Sequence, residues 1–275
     1  MPFGMNSNFI TLIPKMDNAL DIKDFTPVAI GNSIPKVISK IMVTRLGEIA
    51  STLISSNQFG FVPGRNIQKC LFTASECVNI MRTKVKNGNM DLKDDISKAF
   101  DTIRWGFIFK VLRMHGFSPK FINMVHAILK RVSLSILING SPRGFFQCSR
   151  GVRQGDPLSG LLLSMAEDYL SICLNELVNS GIYQRMTYGR NSFTPSHLCY
   201  ADDILLFSKA DRKIISCIKA IFNHYEAVTG QVINLQKSFV IFGEGINSVK
   251  KNRIASRLGV KRGKLPFIYL CLPLF

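Results

Sequence analysis

The sequence lacks the features that mark disulfide-stabilised, zinc-binding and membrane-spanning proteins. Its seven cysteines form no Cys-x-x-Cys pair and its four histidines show no ligand spacing, so we expect free thiols in a reducing compartment. No segment reaches about 18 uninterrupted apolar residues, and the N-terminus shows no charged region followed by a long apolar core. The sequence therefore predicts no membrane partner and no secretory signal.

Acidic side chains are scarce, because 18 Asp and Glu residues stand against 35 Lys and Arg residues and give a net charge of +17. Such an excess suits a polyanionic partner, since neutralising phosphates releases their counterions. A ribosomal-type protein or a membrane-surface binder could carry the same charge, so the charge alone does not identify the partner. A hydrophobic content of 47% over 275 residues argues against disorder and provides a core for one or two domains.

Two adjacent carboxylates, Asp202 and Asp203, interrupt an apolar stretch that otherwise runs from Leu198 to Phe207. The apolar flanks predict two buried strands joined by a tight turn. Carboxylates so close to a core need a compensating charge, and hard oxygen ligands favour Mg²⁺. On its own, an Asp-Asp pair between strands is more often a solvated turn, so a metal site depends on further segments.

A third carboxylate, Asp95, lies near the end of a short strand-like segment that begins near Met90. A carboxylate at a strand end is well placed to meet carboxylates from a second strand, as two-metal phosphoryl transfer requires. Asp101 is also compatible with a role in the N-terminal cap of the next helix. That helix is expected from about Thr102, and its apolar face contains Trp105, Ile108, Phe109 and Leu112.

A basic, glycine-containing loop, Ser149–Ser159, precedes another predicted helix. Asp156 or Ser159 is the expected cap of this helix, and Gly181 is expected to end it. Backbone N–H groups in such a loop, with arginines nearby, can approach phosphates or a base pair closely. Taken alone, the segment is more often a purely structural junction between a loop and a helix.

Together, the three segments resemble the reverse transcriptase of LINE-type, non-LTR retrotransposons. Asp95 matches motif A, Arg153–Ser159 matches motif B, and Tyr200–Asp203 matches motif C of that family. The resemblance covers essentially the whole chain, and the combination of motifs is highly specific. Further similar blocks lie at Phe9–Lys15, Asp24–Val28, Gln58–Arg65, Ile138–Pro142, Gly230–Ser238 and Tyr269–Leu274.

The elements alternate irregularly, which indicates an α+β fold with helices on one face of a small sheet. The resemblance implies a right-hand polymerase palm with fingers and with the thumb missing. Fingers are expected at about 1–90 and 103–156, and the palm at about 91–102 and 157–275. Helices are expected near 34–53, 119–130 and 212–227, and Asn139-Gly140 predicts a type I′ hairpin between Val132–Ile138 and Gly144–Gln147.

The resemblance also implies a two-metal mechanism. Asp95, Asp202 and Asp203 would form the metal site with the Ile96 carbonyl, and the cofactor would be two Mg²⁺ ions, with Mn²⁺ as an alternative. One ion would lower the pKa of the primer 3′-OH, and the other would neutralise the leaving pyrophosphate. Lys237 matches the motif D lysine that protonates the pyrophosphate, although a lone lysine is otherwise a solvated side chain.

A nucleotide-binding group follows from the same resemblance. Phe100 would lie under the sugar and exclude a 2′-OH, although without the motif it would be taken for a core aromatic residue. Gln154 and Gly155 would line the nucleotide and template pocket, and Lys15 would contact the triphosphate. The implied substrates are dNTPs, and the implied partners are an RNA template and a DNA primer.

Three arginines, Arg143, Arg150 and Arg153, are expected to hold the template backbone. Phe145 and Phe146 are interleaved with them, and these rings would either stack on bases or belong to the strand core. The sequence does not indicate protein partners. A nuclear location would follow only from the way in which such elements are copied.

Four positions depart from the family's pattern. Thr26 replaces an arginine that normally helps to bind the triphosphate, and Asp94 replaces an apolar residue beside Asp95. Gly160 replaces a common proline, and Cys271 replaces the glycine of the primer-grip block. Because the chain enters the fingers directly and stops after the primer grip, we expect an excised or degenerate piece of a polyprotein. Two functions stay open: an active RNA-directed DNA polymerase, or an inactive remnant that at most binds nucleic acid.

Overall fold

The computed structural model describes residues 7–130, 133–188 and 194–275, and the chain divides into two compact units. The first unit contains the residues up to Ile49 together with Phe100–Leu163, and the second contains Ala50–Ala99 and Ser164–Phe275. Each unit has a sheet of its own together with helices, so the fold is mixed α+β as predicted.

The elements are numbered in chain order. They are β1 (Ser7–Pro14), β2 (Phe25–Gly31), α1 (Ser33–Leu53), α2 (Ile67–Met81), β3 (Asn89–Asp95), α3 (Ala99–Thr102), α4 (Trp105–Met114), α5 (Pro119–Lys130), β4 (Ser133–Ile138), β5 (Ser141–Gln147), α6 (Pro157–Asn179), β6 (His197–Tyr200), β7 (Asp203–Lys209), α7 (Arg212–Thr229), β8 (Phe239–Phe242), α8 (Ser248–Leu258), β9 (Lys261–Arg262), β10 (Phe267–Tyr269) and β11 (Leu272–Leu274).

The sheet of the first unit has the strand order β2-β1-β4-β5, in which β1 and β4 are parallel and the other pairs are antiparallel. Asn139 and Gly140 join β4 to β5, and both have positive φ (49° and 77°), as a type I′ turn requires. The predicted hairpin is therefore confirmed, although β5 begins at Ser141 rather than Gly144. Val132, the expected start of its first strand, lies outside the described residues.

The helices predicted near 34–53, 119–130 and 212–227 are confirmed as α1, α5 and α7. The helix expected from about Thr102 is confirmed as α4, which contains all four residues of the predicted apolar face but begins three residues later, at Trp105, after the short helix α3. Arg104 has an extended backbone (φ −77°, ψ 130°), and the Ile103 carbonyl accepts a hydrogen bond from the Gly151 N–H at 2.7 Å. Within the described ranges, no helix has the length and apolar character needed to cross a membrane.

The sheet of the second unit has the strand order β6-β7-β3-β8-β9, and only the short β8–β9 pair is parallel. Ile204, Leu205, Leu206 and Phe207 of β7 are all buried. A continuous apolar run is expected in such a strand, because both of its faces are covered. Phe207 belongs to a core cluster to which α2 and the β10–β11 hairpin also contribute.

The expected division into fingers and palm stays a prediction, since the two compact units are defined by contacts alone. Residues 50–90 of the expected fingers lie in the second unit, and residues 100–102 and 157–163 of the expected palm lie in the first. Residues 50–90 join the second unit because Gln58 forms a bridge with Cys199 of β6 and α2 packs into the same core cluster as β7. The second unit is therefore held together by chain segments that are far apart in the sequence.

Candidate active site

Three carboxylates lie at one end of the sheet in the second unit. Asp203 is the first residue of β7, and its register partner on the neighbouring β3 is Asp95. Residues paired in this way have Cα atoms about 4.5–5.5 Å apart. Asp202 lies in the two-residue turn that precedes Asp203, and its main-chain oxygen accepts a hydrogen bond from the Ile96 N–H at 3.1 Å. A backbone hydrogen bond therefore links the end of β3 to the turn.

Two lysines face this carboxylate cluster. Lys93 Nζ lies 2.5 Å from Asp203 Oδ1, and the two side chains are only 12% and 30% exposed. Lys237 Nζ lies 3.6 Å from Asp95 Oδ2, and its side chain is largely exposed. Lys93 was missed by the sequence reasoning, although it lies two residues before Asp95 and must share its face because side chains alternate along a strand.

The electrostatics of the cluster favour a cation. Burial raises the pKa of Asp202 above its usual range, and the neighbouring carboxylates of Asp203 and Asp95 raise it further. The positive charge of Lys237 acts in the opposite direction. Like charges held this closely disfavour one another, so a bound cation would stabilise the ionised form of Asp202.

Three further acidic side chains are buried in the second unit. Asp94 is fully buried, and burial raises its pKa to about 7, although Ser238 and Lys93 lower it. Asp91 is also fully buried, and its carboxylate oxygens have no hydrogen-bond partner among the residues that the structure describes. Burial likewise raises the pKa of Glu167 on α6 well above its usual range. The departure at Asp94 therefore places an unfavourable charge in the core.

The carboxylate donors present are compatible with a magnesium ion. Across the described ranges, no group of three or more His, Cys, Asp or Glu side chains is arranged to hold a metal ion. Asp203 forms the shorter and more shielded of the two ion pairs, so Asp95 and Asp202 are the carboxylates more available as metal donors. Mg²⁺ is commonly held by one or two carboxylates together with substrate phosphates and water, so this donor set fits that ion.

A cavity of about 160 Å³ lies within the first unit. Phe100 and Gln154 line it together with Arg150 and Arg153, so four of the predicted site residues share one cavity. Apolar side chains from the sheet and from α4 and α5 complete its wall, namely Ile10, Leu134, Trp105 and Leu129. A cavity with an aromatic wall and arginines at its edge suits a ligand that has both a ring and a charged group.

The loop that carries Gln154 is fastened beside Phe100. The Val152 N–H donates to the Phe100 carbonyl at 2.6 Å, and the Trp105 indole N–H donates to the Gly151 carbonyl at 2.6 Å. Gly151 has φ +82°, and a Cβ atom there would lie 2.8 Å from the Asp101 carbonyl oxygen. Only glycine fits so close an approach, so this loop is fixed by its backbone.

Arg153 is committed to internal contacts. Its side chain is 13% exposed, and Nη2 lies 3.3 Å from Asp156 Oδ2. Burial lowers the pKa of Arg153, whereas Asp156 raises it. Asp156 also accepts a hydrogen bond from the Leu158 N–H at 3.0 Å and precedes α6, which begins at Pro157. Of the two residues predicted to cap this helix, Asp156 and Ser159, Asp156 is therefore the cap of α6.

The other residues predicted to bind nucleotide or nucleic acid are not part of the lining of this cavity, and neither is Thr26. Thr26 alternates along β2 with Pro27 and Ala29, which do line it, so Thr26 lies on the opposite face of the strand. The departure at Thr26 therefore removes no group from the cavity. Of the residues predicted to bind nucleotide or nucleic acid, Lys15, Gly155 and Arg143 are outside its lining.

The edge strand β5 is exposed along its whole length. It carries Arg143, and Phe145 and Phe146 are 70% and 44% exposed. These rings are therefore not part of the strand core, which leaves base stacking as the other predicted role. The stretch from Ser133 to Gly155 contains no acidic residue, so this strand and the loop after it form a basic surface with exposed aromatic rings.

Comparison with known families gives a match over nearly the whole chain. Residues 13–271 match the family described as reverse transcriptase (RNA-dependent DNA polymerase). The chain is 27% identical over 240 residues to the uncharacterised 149 kDa protein of transposon TX1 from Xenopus laevis, covering 86% of this chain and 18% of that protein. It is 24% identical over 247 residues to the Pol polyprotein of retrotransposable element R2DM from Drosophila melanogaster, covering 88% and 22% respectively.

Solved structures show the same fold. Telomerase from Candida tropicalis, in complex with a fragment of telomeric RNA, aligns with 90% of this chain at a TM-score of 0.61 and 13% identity, and 42% of the telomerase chain is covered. Telomerase from Candida albicans aligns over the same share of this chain at a TM-score of 0.58. The chain spans about a fifth of the length of the two transposon proteins.

Proposed function

The chain belongs to the reverse transcriptase (RNA-dependent DNA polymerase) family, and we propose that it extends a DNA primer on an RNA template by two-metal transfer of dNTPs. The observation that carries this proposal is the pairing of Asp95 with Asp203 beside the turn residue Asp202. A related fold has been solved with RNA bound, in the telomerase of Candida tropicalis, which supports RNA as the partner.

In this proposal, Asp95 and Asp202 would hold the metal ions together with the Ile96 carbonyl. Two Mg²⁺ ions, when bound, would lower the pKa of the primer 3′-OH and neutralise the leaving pyrophosphate. Lys93 neutralises Asp203, which limits the repulsion between three adjacent carboxylates. Lys237 is largely exposed and close to Asp95, so its ammonium group can move to the departing pyrophosphate and protonate it.

The cavity of the first unit supplies candidate residues for nucleotide recognition. Phe100 presents an aromatic ring that would exclude a 2′-OH, and Gln154 would contact the base or sugar. Arg150 is exposed at this cavity and can pair with a phosphate. Neither Lys15 nor Gly155 lines the cavity, so their proposed roles in nucleotide binding rest on the family resemblance alone.

Nucleic acid would bind along β5 and the loop that follows it. Arg143 and Arg150 are exposed and would pair with backbone phosphates. Phe145 and Phe146 would stack on unpaired bases, an interaction that every base can make. Arg153 is already paired with Asp156, so we propose that it supports the loop and contributes only its charge to the template.

Primer extension tests the proposed activity. The assay uses purified protein, an RNA template with an annealed DNA primer, dNTPs and Mg²⁺. We expect extension by the wild-type protein and its loss in Asp202→Asn, whereas Asp211→Asn should stay active. Asp211 caps α7 through its side chain, and asparagine caps a helix equally well. Equal extension by both variants would exclude Asp202 as a metal ligand.

The alternative function is nucleic-acid binding without catalysis. It is favoured by the buried carboxyl group of Asp94, the residue before Asp95, because burial and the neighbouring Asp95 both raise the pKa of Asp94 and so disfavour a further negative charge at the end of β3. In that case no extension would be seen in any variant, while the labelled template–primer would still bind. Replacing Phe145 with alanine should then weaken binding without changing the extension result.

A further inference from the structure

A short segment, Asn57–Gly60, lies against the turn that carries Asp202. Gln58 forms a parallel bridge with Cys199 of β6. The Phe59 N–H donates to the Cys199 carbonyl at 2.7 Å, and the Cys199 N–H donates to the Asn57 carbonyl at 2.8 Å. The segment therefore extends the five-stranded sheet beyond β6, at the end where the carboxylates lie.

The side chain of Gln58 reaches the turn itself. It is 1% exposed, and its Oε1 accepts hydrogen bonds from the Ala201 N–H at 3.0 Å and from the Gly60 N–H at 2.9 Å. Ala201 has φ +51°, a left-handed conformation that is unfavourable for any residue with a Cβ atom. Such a conformation persists only where its surroundings enforce it, and the Gln58 side chain provides a direct restraint.

Gly60 holds the same turn from a second direction. A Cβ atom at Gly60 would lie 2.3 Å from the Ala201 nitrogen, so the backbone approaches the turn as closely as glycine allows. The Gly60 carbonyl accepts a hydrogen bond from Ser164 Oγ at 2.7 Å. Arg65 donates to the Gln58 carbonyl at 2.6 Å, so the segment is anchored independently of the turn.

From these contacts we infer that Gln58 is a positioning residue, which sets the Ala201-Asp202 turn so that the Asp202 carboxylate is held ready for a metal ion. The inference rests on the proposed polymerase function. Gln58 touches neither substrate nor metal in this role, because it acts through the backbone N–H of Ala201. A misplacement of about 1 Å in a reacting group can lower a rate by about a hundredfold, so the effect should appear in kcat.

The test compares Gln58→Met with the wild-type protein in steady-state primer extension. Methionine has a similar length but offers no comparable acceptor for the Ala201 N–H. We expect kcat to fall by about tenfold to a hundredfold, the KM for dNTPs to change by less than about twofold, and the Mg²⁺ concentration at half-maximal rate to increase. Hydrogen exchange at Ala201 should also become faster, because its N–H loses its acceptor.

Tyr183→Phe is the matched control. Tyr183 is buried in the same unit, and its hydroxyl lies 3.0 and 3.1 Å from the carbonyl oxygens of Ser196 and Phe207, which share its single donated hydrogen. This variant loses buried hydrogen bonds without touching the turn, so it should lose stability but keep the Mg²⁺ dependence of the wild type. If Gln58→Met does not fold, Gln58→Asn replaces it, because its amide is one methylene too short to reach Ala201.

The outcomes separate the inference from the proposed function. If the wild-type protein does not extend a primer, the polymerase proposal fails, and exchange at Ala201 still shows whether Gln58 restrains the turn. If the wild type is active and Gln58→Met has the same kcat and Mg²⁺ dependence as Tyr183→Phe, Gln58 does not position Asp202. Unchanged exchange at Ala201 would contradict the restraint directly.

Discussion

Lys93 Nζ and Asp203 Oδ1 lie 2.5 Å apart in a largely shielded ion pair at the end of the sheet. Removing one partner of a shielded pair leaves the other charge uncompensated, here beside Asp95 and Asp202. We expect Lys93→Met to lower the free energy of unfolding by about 1–3 kcal/mol without divalent cations. Because a cation would then replace the lysine charge, Mg²⁺ should stabilise this variant more than the wild type. Thermal unfolding with and without Mg²⁺ measures both effects.

Two further variants control the Lys93 experiment. Lys93→Arg keeps the positive charge and should respond to Mg²⁺ as the wild type does. Lys219→Met removes an exposed lysine from α7 and accounts for the change in net charge. If Lys93→Met and Lys219→Met respond equally to Mg²⁺, the ion pair with Asp203 has no part in compensating the carboxylates.

Replacing the buried acid Asp94 with an apolar residue should stabilise the protein. Its carboxyl group is fully buried, and burial of an acid costs free energy unless a partner compensates it. We expect Asp94→Val to raise the free energy of unfolding at pH 7.5 by about 1–3 kcal/mol. Urea unfolding measures the change, and Asp17→Val, at an exposed position, is the control. An unchanged midpoint would show that Ser238 and Lys93 compensate Asp94 fully.

His197 should make stability depend on pH. It is buried in β6, and burial, together with the charge of Arg185, lowers its pKa from 6.5 to about 3. Below pH 6.5 the unfolded chain binds a proton that the native protein cannot, so this contribution is complete above 6.5 and is lost as the pH falls toward 3. The slope for one group is at most about 1.4 kcal/mol per pH unit.

We therefore expect His197→Gln to lose less stability than the wild type between pH 6.5 and pH 4. Urea unfolding at several pH values in this range gives the two slopes. His224→Gln, at an exposed position on α7, should keep the wild-type slope. Parallel slopes for the wild type and His197→Gln would mean that His197 is protonated in the native protein.

Much of this fold follows from local sequence. The apolar flanks of Asp202 and Asp203 predict β6 and β7, and the structure has both strands with a two-residue turn between them. Asn139-Gly140 predicts its hairpin because few other pairs accept positive φ at both positions. In each case the element is determined by residues that are close together in the sequence, so a local pattern can predict it.

The parts that could not be predicted depend on contacts between distant segments. Gln58 and Ala201 are separated by 143 residues, and no local pattern links an amide side chain to a turn so far away. The break between α3 and α4 has a similar origin, since Gly151 pairs with Ile103 across the unit. Thr26 is a further example, because only the structure shows that it lies on the face of β2 opposite to Pro27 and Ala29, which line the cavity; its expected effect on nucleotide binding stays a prediction.

Cys271 supports a final prediction about the β10–β11 hairpin. Leu270 and Cys271 form its two-residue turn with φ +47° and +66°, and glycine adopts such values without the steric cost that a Cβ atom imposes. We expect Cys271→Gly to raise the free energy of unfolding by about 0.5–1 kcal/mol, because the relief of strain exceeds the added entropy of the unfolded chain. Chemical unfolding under reducing conditions measures this change. Cys271→Ser keeps the Cβ atom and removes the thiol, so it should give no gain; an equal gain in both variants would trace the effect to the thiol rather than to the backbone.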